Sequence, residues 1–144
     1  MSSPKDVLVV VGNPRAGSRT RAVGEAIAQR LADVAGGGIG VGVRVVELAD
    51  VAPLLLEWGD PNIDALRTDV RAATALVVAT PTYKASYTGL LTLFLDRFDA
   101  GELAGLPTVA VMTGGSPTHA LAVDVHLTPV LLEIGASCPA RGLY

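Results

Sequence analysis

A glycine-bounded loop close to several arginines is the part of this sequence best suited to bind an anion. Residues 12–20 read Gly-Asn-Pro-Arg-Ala-Gly-Ser-Arg-Thr and separate a Val-rich run from a helical pattern. Three of the nine arginines in the chain lie in or beside this loop: Arg15, Arg19 and Arg21. Backbone N–H groups at a helix N-terminus, hydroxyl groups and a cationic side chain together make a phosphate site. We favour this hypothesis over the simpler one, in which Ser18 or Thr20 only caps the helix and the arginines are solvated.

Other phosphate-binding motifs do not fit this loop. Gly12 and Gly17 have the spacing of a Walker A motif, but Ser18 and Arg19 stand where that motif needs Lys and then Ser or Thr. The loop also lacks the GxGxxG pattern, the cysteine of a thiolate phosphatase and the metal-binding acids of a receiver domain. The glycine-rich run 36–40 leaves a helix and enters a strand, so we expect a flexible connector there.

Two further loops carry residues that suit a flat ring. Residues 81–89 hold two of the three tyrosines of the chain, and residues 113–119 begin Thr-Gly-Gly-Ser. Aromatic and small side chains suit the face and edge of a planar heterocycle, and paired glycines let backbone N–H groups approach a ligand. For the second loop alone, tyrosines packed at a subunit interface are an equally good hypothesis. In the third loop, His119 either contacts the ring or caps a helix.

The elements around these loops predict an α/β fold. Four short apolar runs are predicted strands that are covered on both faces: residues 7–11, 43–48, 75–80 and 108–113. Helical patterns follow them: residues 20–34, 64–73, the apolar stripe 90–98, and 118–133 with a kink at Pro129. Strands that alternate with helices indicate a doubly wound parallel sheet.

This fold predicts that the three loops meet. Ligands of open parallel sheets bind outside the carboxyl ends of the strands, which is where all three loops begin. A phosphate cradle beside an aromatic, glycine-rich slot fits flavin mononucleotide (FMN). Residues 141–144 read as the start of a fifth strand, so we expect the fifth strand and the final helix to be curtailed, or another subunit to cover the exposed face.

Composition bounds the functional class. The chain has 144 residues and a net charge of -3, which suits one domain over residues 1–144 and a poor binder of nucleic acid or anionic lipid. The single cysteine, Cys138, cannot form an internal disulfide or a CxxC metal site, which favours a cytoplasmic location. The longest stretch without charged residues, 103–123, contains Pro107 and Pro117, so no membrane span is expected.

The three loops resemble those of the NAD(P)H-dependent FMN reductases of the flavodoxin-like superfamily, and the resemblance covers essentially the whole chain. The pattern of that family, roughly G-S-x-R-x-x-S-x-[NST], is met by Gly12, Arg15, Ser18 and Thr20. Asn13 departs from it, because the family usually has Ser there. The second and third loops are most similar to the sulfonate-assimilation branch, whose enzymes supply reduced FMN to a separate monooxygenase.

The resemblance implies strand order 2-1-3-4-5 and a homodimer or homotetramer with FMN near a subunit interface. The phosphate would lie on the first loop, and the flavin ring between the second and third. The implied flavin-binding residues are Asn13, Arg15, Ser18, Thr20, Pro81, Thr82, Tyr83, Lys84, Ala85, Ser86, Thr113, Gly114, Gly115, Ser116 and His119.

The leading hypothesis is therefore NADPH-dependent reduction of FMN, with no catalytic side chain and no metal. NADPH is preferred over NADH on the resemblance alone; Arg19 or Arg21 either meets a 2′-phosphate, is solvated or turns toward FMN. One alternative is a reductase that retains FMN and acts on quinones, azo dyes or metal oxyanions. The other is a flavin-binding electron carrier that is not an enzyme. We expect Trp58 to pack at an interface rather than shield the flavin.

Overall fold

A four-stranded parallel sheet organises the computed structural model, which describes residues 5–36 and 40–144. The strands in the described residues are β1 (Asp6–Val11), β2 (Gly42–Glu47), β3 (Ala75–Pro81) and β4 (Thr108–Thr113). They lie in the order β2-β1-β3-β4, and every neighbouring pair is parallel. The predicted α/β class and the order of these strands are confirmed. The predicted glycine-rich connector falls mainly on residues 37–39, which lie outside the described residues.

Both faces of the sheet are covered by helices, which explains its continuously apolar strands. On one face lies α1 (Arg19–Gly36), which packs on alternate strand residues such as Val7 and Val9 through its small residues Ala28 and Ala32. The opposite face is covered by α2 (Pro61–Ala72), α3 (Gly89–Leu95), α4 (Thr128–Glu133) and a 3-10 helix, Leu48–Leu56. In the described part of the chain, no helix is long and apolar enough to cross a membrane.

Helix starts follow local capping chemistry more closely than hydrophobic periodicity. The sequence pattern predicted α2 from residue 64, but the helix begins at Pro61 because the Asp60 side chain caps it. The Asp60 carboxylate accepts hydrogen bonds from the amides of Asn62 at 2.8 Å and Ile63 at 3.2 Å. Proline at the first helical position fits this arrangement, since its missing N–H would be unpaired there in any case.

The predicted fourth helix, residues 118–133, is instead three separate segments. A 3-10 turn, Pro117–His119, comes first, a π-helical turn, Val123–Leu127, follows, and α4 completes the region. Pro129 has no N–H for the carbonyl four residues earlier, and the backbone widens just before it, where the Thr128 amide donates to the Val123 carbonyl. Proline therefore changes the helix type of the preceding turn rather than only bending it.

The apolar stripe predicted at residues 90–98 is buried inside the protein. Leu91, Phe94, Leu95 and Phe98 all belong to the main core, and the rings of Phe94 and Phe98 pack edge to face at 5.3 Å. The protein's own core therefore covers this stripe.

The last residues of the chain lie beside β4, where a fifth strand was predicted. Leu143 pairs in parallel with Val111, donating its amide to the Ala110 carbonyl and accepting from the Met112 amide, both at 2.9 Å. Ser137 forms a second isolated bridge, to Pro107. Pairing at these points extends the sheet beyond β4 without forming a further continuous strand in the described residues.

Close packing of α1 on the sheet gives a first prediction. A Cβ atom on Gly24 would lie only 3.0 Å from side-chain atoms of Ala79 and Val9. Replacing Gly24 with Leu should lower the free energy of unfolding by about 1–3 kcal/mol, as overpacked cores do, in spite of leucine's better helix propensity. Chemical denaturation measures this change. Ala26→Leu, on the exposed face of the same helix, is the control and should leave stability nearly unchanged.

Candidate functional site

The three predicted loops meet at one edge of the sheet and are joined by hydrogen bonds. The hydroxyls of Thr20 and Thr113 lie 2.8 Å apart, which links the first loop to the third. The Thr82 amide donates to the Thr113 carbonyl at 2.8 Å, which links the second loop to the third. The Thr88 hydroxyl donates to the Gly12 carbonyl at 2.6 Å, which links the second loop to the first. The predicted convergence of the loops is confirmed.

Glycine at position 12 is required by the close approach of α3. A Cβ atom there would lie 2.9 Å from the Leu91 Cβ and 3.4 Å from the Thr88 hydroxyl oxygen. That hydroxyl also accepts from the Leu91 amide at 3.1 Å and so caps α3. The first glycine of the loop therefore serves packing between loops, and the space is filled by protein.

Side chains of the first loop form hydrogen bonds that hold the backbone of the loop in place. Asn13 accepts from the Arg15 amide at 2.9 Å and donates to the Thr20 hydroxyl at 3.4 Å. The Ser18 hydroxyl oxygen accepts from the Arg21 amide at 3.2 Å, so Ser18 caps α1 as the simpler hypothesis expected. Among the described residues, the Ser18 hydroxyl donates no hydrogen bond, so its proton is available to a ligand. Thr20 is 2% exposed, and its hydroxyl braces the first loop against the third.

A buried carboxylate lies beneath this loop. Both Glu47 side-chain oxygens accept from the Gly17 amide, at 3.0 and 3.2 Å, and one also accepts from Arg21 at 2.9 Å. The Glu47 side chain is only 5% exposed. Its hydrogen bond and charge raise the pKa of the Arg21 guanidinium, with a smaller contribution from Glu25. Of the two arginines considered for a 2′-phosphate, Arg21 is thus held by protein carboxylates.

The other two arginines of the loop are uncommitted. Arg15 and Arg19 are exposed and form no ion pair with any residue that the structure describes. Gly17, between them, has φ +66°, and a Cβ atom there would meet only open space. The outer surface of the loop therefore offers two free cationic side chains beside open space, as a phosphate site requires.

The second loop contains a strained hairpin turn. Tyr83 and Ser86 exchange two backbone hydrogen bonds, at 2.8 and 3.1 Å. The two residues between them have left-handed backbone angles, with φ 51° at Lys84 and 62° at Ala85. Such turns normally take Asn or Gly, and neither residue here has that freedom. Strained turns of this kind concentrate at ligand-binding sites.

The two tyrosines of the second loop have different environments. Tyr83 is 47% exposed on the turn, whereas Tyr87 is half-buried and packs against the main core. Of these two tyrosines, Tyr83 is therefore the more accessible to a ligand or to another subunit.

The third loop is closed by the last residue of the chain. The Tyr144 hydroxyl donates to the Ser116 carbonyl at 2.6 Å, and a Cβ atom on Gly114 would collide with that hydroxyl. The Ser116 hydroxyl caps the following turn by accepting from the Thr118 amide at 3.2 Å. The His119 side chain is exposed and makes no hydrogen bond within the described residues, so the hypothesis that it caps a helix is wrong.

One polar group has no hydrogen-bond partner among the described residues where the second and third loops meet. The Thr82 hydroxyl is buried, and no other described residue is a hydrogen-bond partner for it. It lies 3.4 Å from the place a Gly114 Cβ would occupy, and Gly115 beside it faces open space. A buried hydroxyl without a partner costs free energy, which marks this junction of the two loops as a strained position.

A cleft of about 380 Å³ adjoins the third loop. It shares Thr113 and Gly114 with the candidate site, and its remaining lining comes from α1, β4 and the last two residues. Within the described ranges, no group of three or more His, Cys, Asp or Glu residues could hold a metal ion.

Three supporting residues could not be identified from sequence patterns. Glu47 lies inside the predicted strand 43–48 and has the pattern of an ordinary surface charge, although its position at the carboxyl end of β2 places it at the same edge. Thr88 was predicted only as part of the second loop, and Tyr144 only as part of a strand.

Trp58, predicted at an interface, is 77% exposed, and Arg97 stacks 4.1 Å from its ring centre.

The strained turn gives a second prediction. Replacing Ala85 with Val should lower the free energy of unfolding by about 1–3 kcal/mol, because a β-branched side chain fits left-handed backbone angles poorly. Ala85→Gly is the matched variant and should be as stable as the parent or more so. Thermal unfolding compares the three proteins. Equal stability of the Val and Gly variants would show that the turn is not strained.

The chain is similar to known FMN reductases over most of its length. The FMN reductase (NADPH) of Pseudomonas aeruginosa is 32% identical to this chain over 149 residues, which cover 100% of this chain and 78% of the relative. The NADH-dependent FMN reductase SfnF from Pseudomonas putida is 36% identical over 141 residues, covering 96% and 75%. The solved structure of an oxidoreductase from Corynebacterium diphtheriae superposes with TM-score 0.86 at 31% identity, covering 98% of this chain and 82% of that one. Residues 6–144 match the family model described as NADPH-dependent FMN reductase, and the chain belongs to that family.

Proposed function

We propose that this protein reduces FMN with NADPH as the hydride donor. The observation that carries the proposal is the set of hydrogen bonds through Thr113, which joins a cationic loop to a loop with a buried, unpaired hydroxyl. A ligand spanning these loops needs an anionic end and a flat polar end. FMN has both, and the family to which the chain belongs is described by this activity.

The phosphate end of the proposed site is the outer surface of the first loop. Arg15 and Arg19 supply charge, the Ser18 hydroxyl can donate its proton, and the start of α1 supplies backbone N–H groups and a positive helix end. Asn13 and Thr20 hold the loop in shape through their mutual hydrogen bond. In this assignment, Arg21 takes no part in binding the phosphate because Glu47 already holds it.

The ring end lies between the second and third loops. Pro81, Thr82 and the strained turn at Lys84 and Ala85 would line one side of the flavin, with Tyr83 and Ser86 at the base of the turn. Thr113, Gly114, Gly115 and Ser116 would line the other side. The unpaired Thr82 hydroxyl and the open space at Gly115 support this assignment. His119, exposed beside Ser116, is placed at the rim.

The protein contributes binding and orientation to the reaction. A bound flavin would supply the ring that can accept a hydride, so the redox chemistry would belong to this ring and not to a side chain. Backbone N–H groups near Gly115 would stabilise negative charge on the polar edge of the ring, as preorganised donors do for other anions. No side chain is proposed to transfer a proton during hydride transfer, so His119 is a contact residue in this proposal.

Absorbance of the purified protein tests the proposed reaction. Oxidation of NADPH, followed at 340 nm, should depend on added FMN if flavin is the substrate. Protein that remains yellow after purification and oxidises NADPH only when quinones are added would instead favour the retained-cofactor alternative. Flavin that binds but is hardly reduced by NADPH would favour an electron carrier. NADH measured in parallel decides the preferred donor, for which we propose NADPH.

The phosphate contact gives a third prediction. Arg15→Ala removes a charge-assisted hydrogen bond of about 1.5–3 kcal/mol, so FMN affinity should fall roughly tenfold or more. Riboflavin, which has no phosphate, should bind about as well as before. Fluorescence titration measures both affinities. Arg30→Ala, an exposed arginine farther along α1, is the control. Equal losses for FMN and riboflavin would mean that Arg15 does not contact the phosphate.

We also propose that the protein assembles into a homodimer or homotetramer. Leu121, Val125 and Leu132 are 67%, 60% and 53% exposed, and all three lie in the region that ends in α4. Such a group of exposed apolar side chains favours association.

A flavin-dependent monooxygenase that receives reduced FMN is the proposed further partner, in keeping with the resemblance of the second and third loops. The cytosol is the proposed compartment, because a lone cysteine suits a reducing environment.

Assembly gives a fourth prediction. Light scattering at micromolar concentration should give a mass of at least a dimer for the parent protein. Replacing both Leu121 and Val125 with Asp should shift the mass toward the monomer, because charged side chains would have to be buried at the contact. Val34→Asp, at an isolated valine that is 84% exposed, should leave the mass unchanged. A parent protein that is monomeric and still binds FMN would contradict this proposal.

A further inference from the structure

Glu47 is a buried acid whose hydrogen bonds all lead to the first loop or to the helix that follows it. Its carboxylate accepts twice from the Gly17 amide and once from Arg21, and the side chain is only 5% exposed. Gly17 sits in the middle of the loop with φ +66°. A buried carboxylate with these partners constrains the backbone of the loop at Gly17.

We propose that Glu47 is a positioning residue for phosphate binding, an inference that rests on the proposed function. The carboxylate fixes the Gly17 peptide so that the exposed side of the loop, with Arg15 and the Ser18 hydroxyl, is preformed for a phosphate group. Glu47 does not contact the ligand. It acts through the Gly17 N–H, and it keeps Arg21 from folding over the loop.

The register of the sheet explains why this residue can reach the loop. Glu47 pairs with Val11 at the ends of β2 and β1, so it stands next to the start of the first loop. A glutamate arm from this position reaches Gly17, six residues after Val11. Preformed loops bind ligands more tightly because the cost of ordering them has been met during folding.

A second buried glutamate provides a matched control. Glu102 has a side chain that is 9% exposed, accepts from the Asp99 amide at 2.7 Å and is bonded by Arg67 and Arg71. It thus repeats the combination of one backbone amide and arginine partners, but among the described residues its hydrogen bonds and ion pairs do not involve the three loops. Loss of a buried ion pair at Glu102 should affect stability without affecting the phosphate loop.

The test compares FMN with riboflavin in the full chain. For each variant, the ratio of the riboflavin Kd to the FMN Kd reports the contribution of the phosphate. A general loss of folded protein weakens the binding of both ligands equally and so leaves this ratio unchanged. Glu47→Ala should reduce this ratio at least fivefold, with riboflavin affinity nearly unchanged. Glu47→Gln keeps an acceptor for the Gly17 amide and should retain most of the ratio. Glu102→Ala should leave the ratio as in the parent protein.

Each outcome decides the proposal. An unchanged ratio in Glu47→Ala, or a higher one through a freed Arg21, would overturn it, as would an equal loss in Glu102→Ala. If Glu47→Ala does not fold, Glu47→Asp carries the same expectation, because its arm is one methylene too short to hold the Gly17 amide. A parent protein that binds FMN no better than riboflavin would overturn the proposed phosphate site itself, which distinguishes that failure from a failure at Glu47.

Discussion

The buried hydrogen bond from the Thr88 hydroxyl to the Gly12 carbonyl is the contact on which the arrangement of the loops depends. It crosses from the end of β1 to the start of α3, and the same oxygen caps that helix through the Leu91 amide. Gly12 permits the contact because any side chain there would meet Leu91. Without it, a buried carbonyl would lose its partner at a cost of about 1–3 kcal/mol. One hydroxyl thus sets both where α3 begins and how near the first loop lies to the second.

Most of the sheet could be predicted because its strands are continuously apolar. Residues 7–11 are all buried, with helices on both sides, and short apolar runs of this kind are typical of parallel strands in an α/β chain. The helical regions were less predictable. Periodicity located the stripe at residues 90–98 but not its partner, which proved to be the protein's own core. At residues 118–133, the pattern was that of one helix, and the position of Pro129 decided the backbone through hydrogen bonds that periodicity does not report.

The position of the candidate site was predictable, but the residues that support it were not. Loops that leave parallel strands at their carboxyl ends must gather at one edge, so segments 12–20, 81–89 and 113–119 followed from topology alone. Glu47 needed one more step, because its contact with Gly17 depends on the pairing of Val11 with Glu47. A single acid at the end of a valine-rich strand has no distinguishing pattern. Its contact with the loop becomes visible only when the register of the sheet is known.

Charge at the first loop shows why supporting residues decide what the site can bind. The chain carries a net charge of -3, which would repel a phosphate if charge acted over the whole surface. Screening limits such effects to about 8 Å at physiological ionic strength, so the groups in the loop itself prevail. Three arginines would make this loop strongly cationic, but Glu47 pairs with Arg21 from beneath and leaves Arg15 and Arg19 outermost. The buried acid therefore divides the arginines of one short segment into a structural one, Arg21, and two that are exposed to solvent, Arg15 and Arg19.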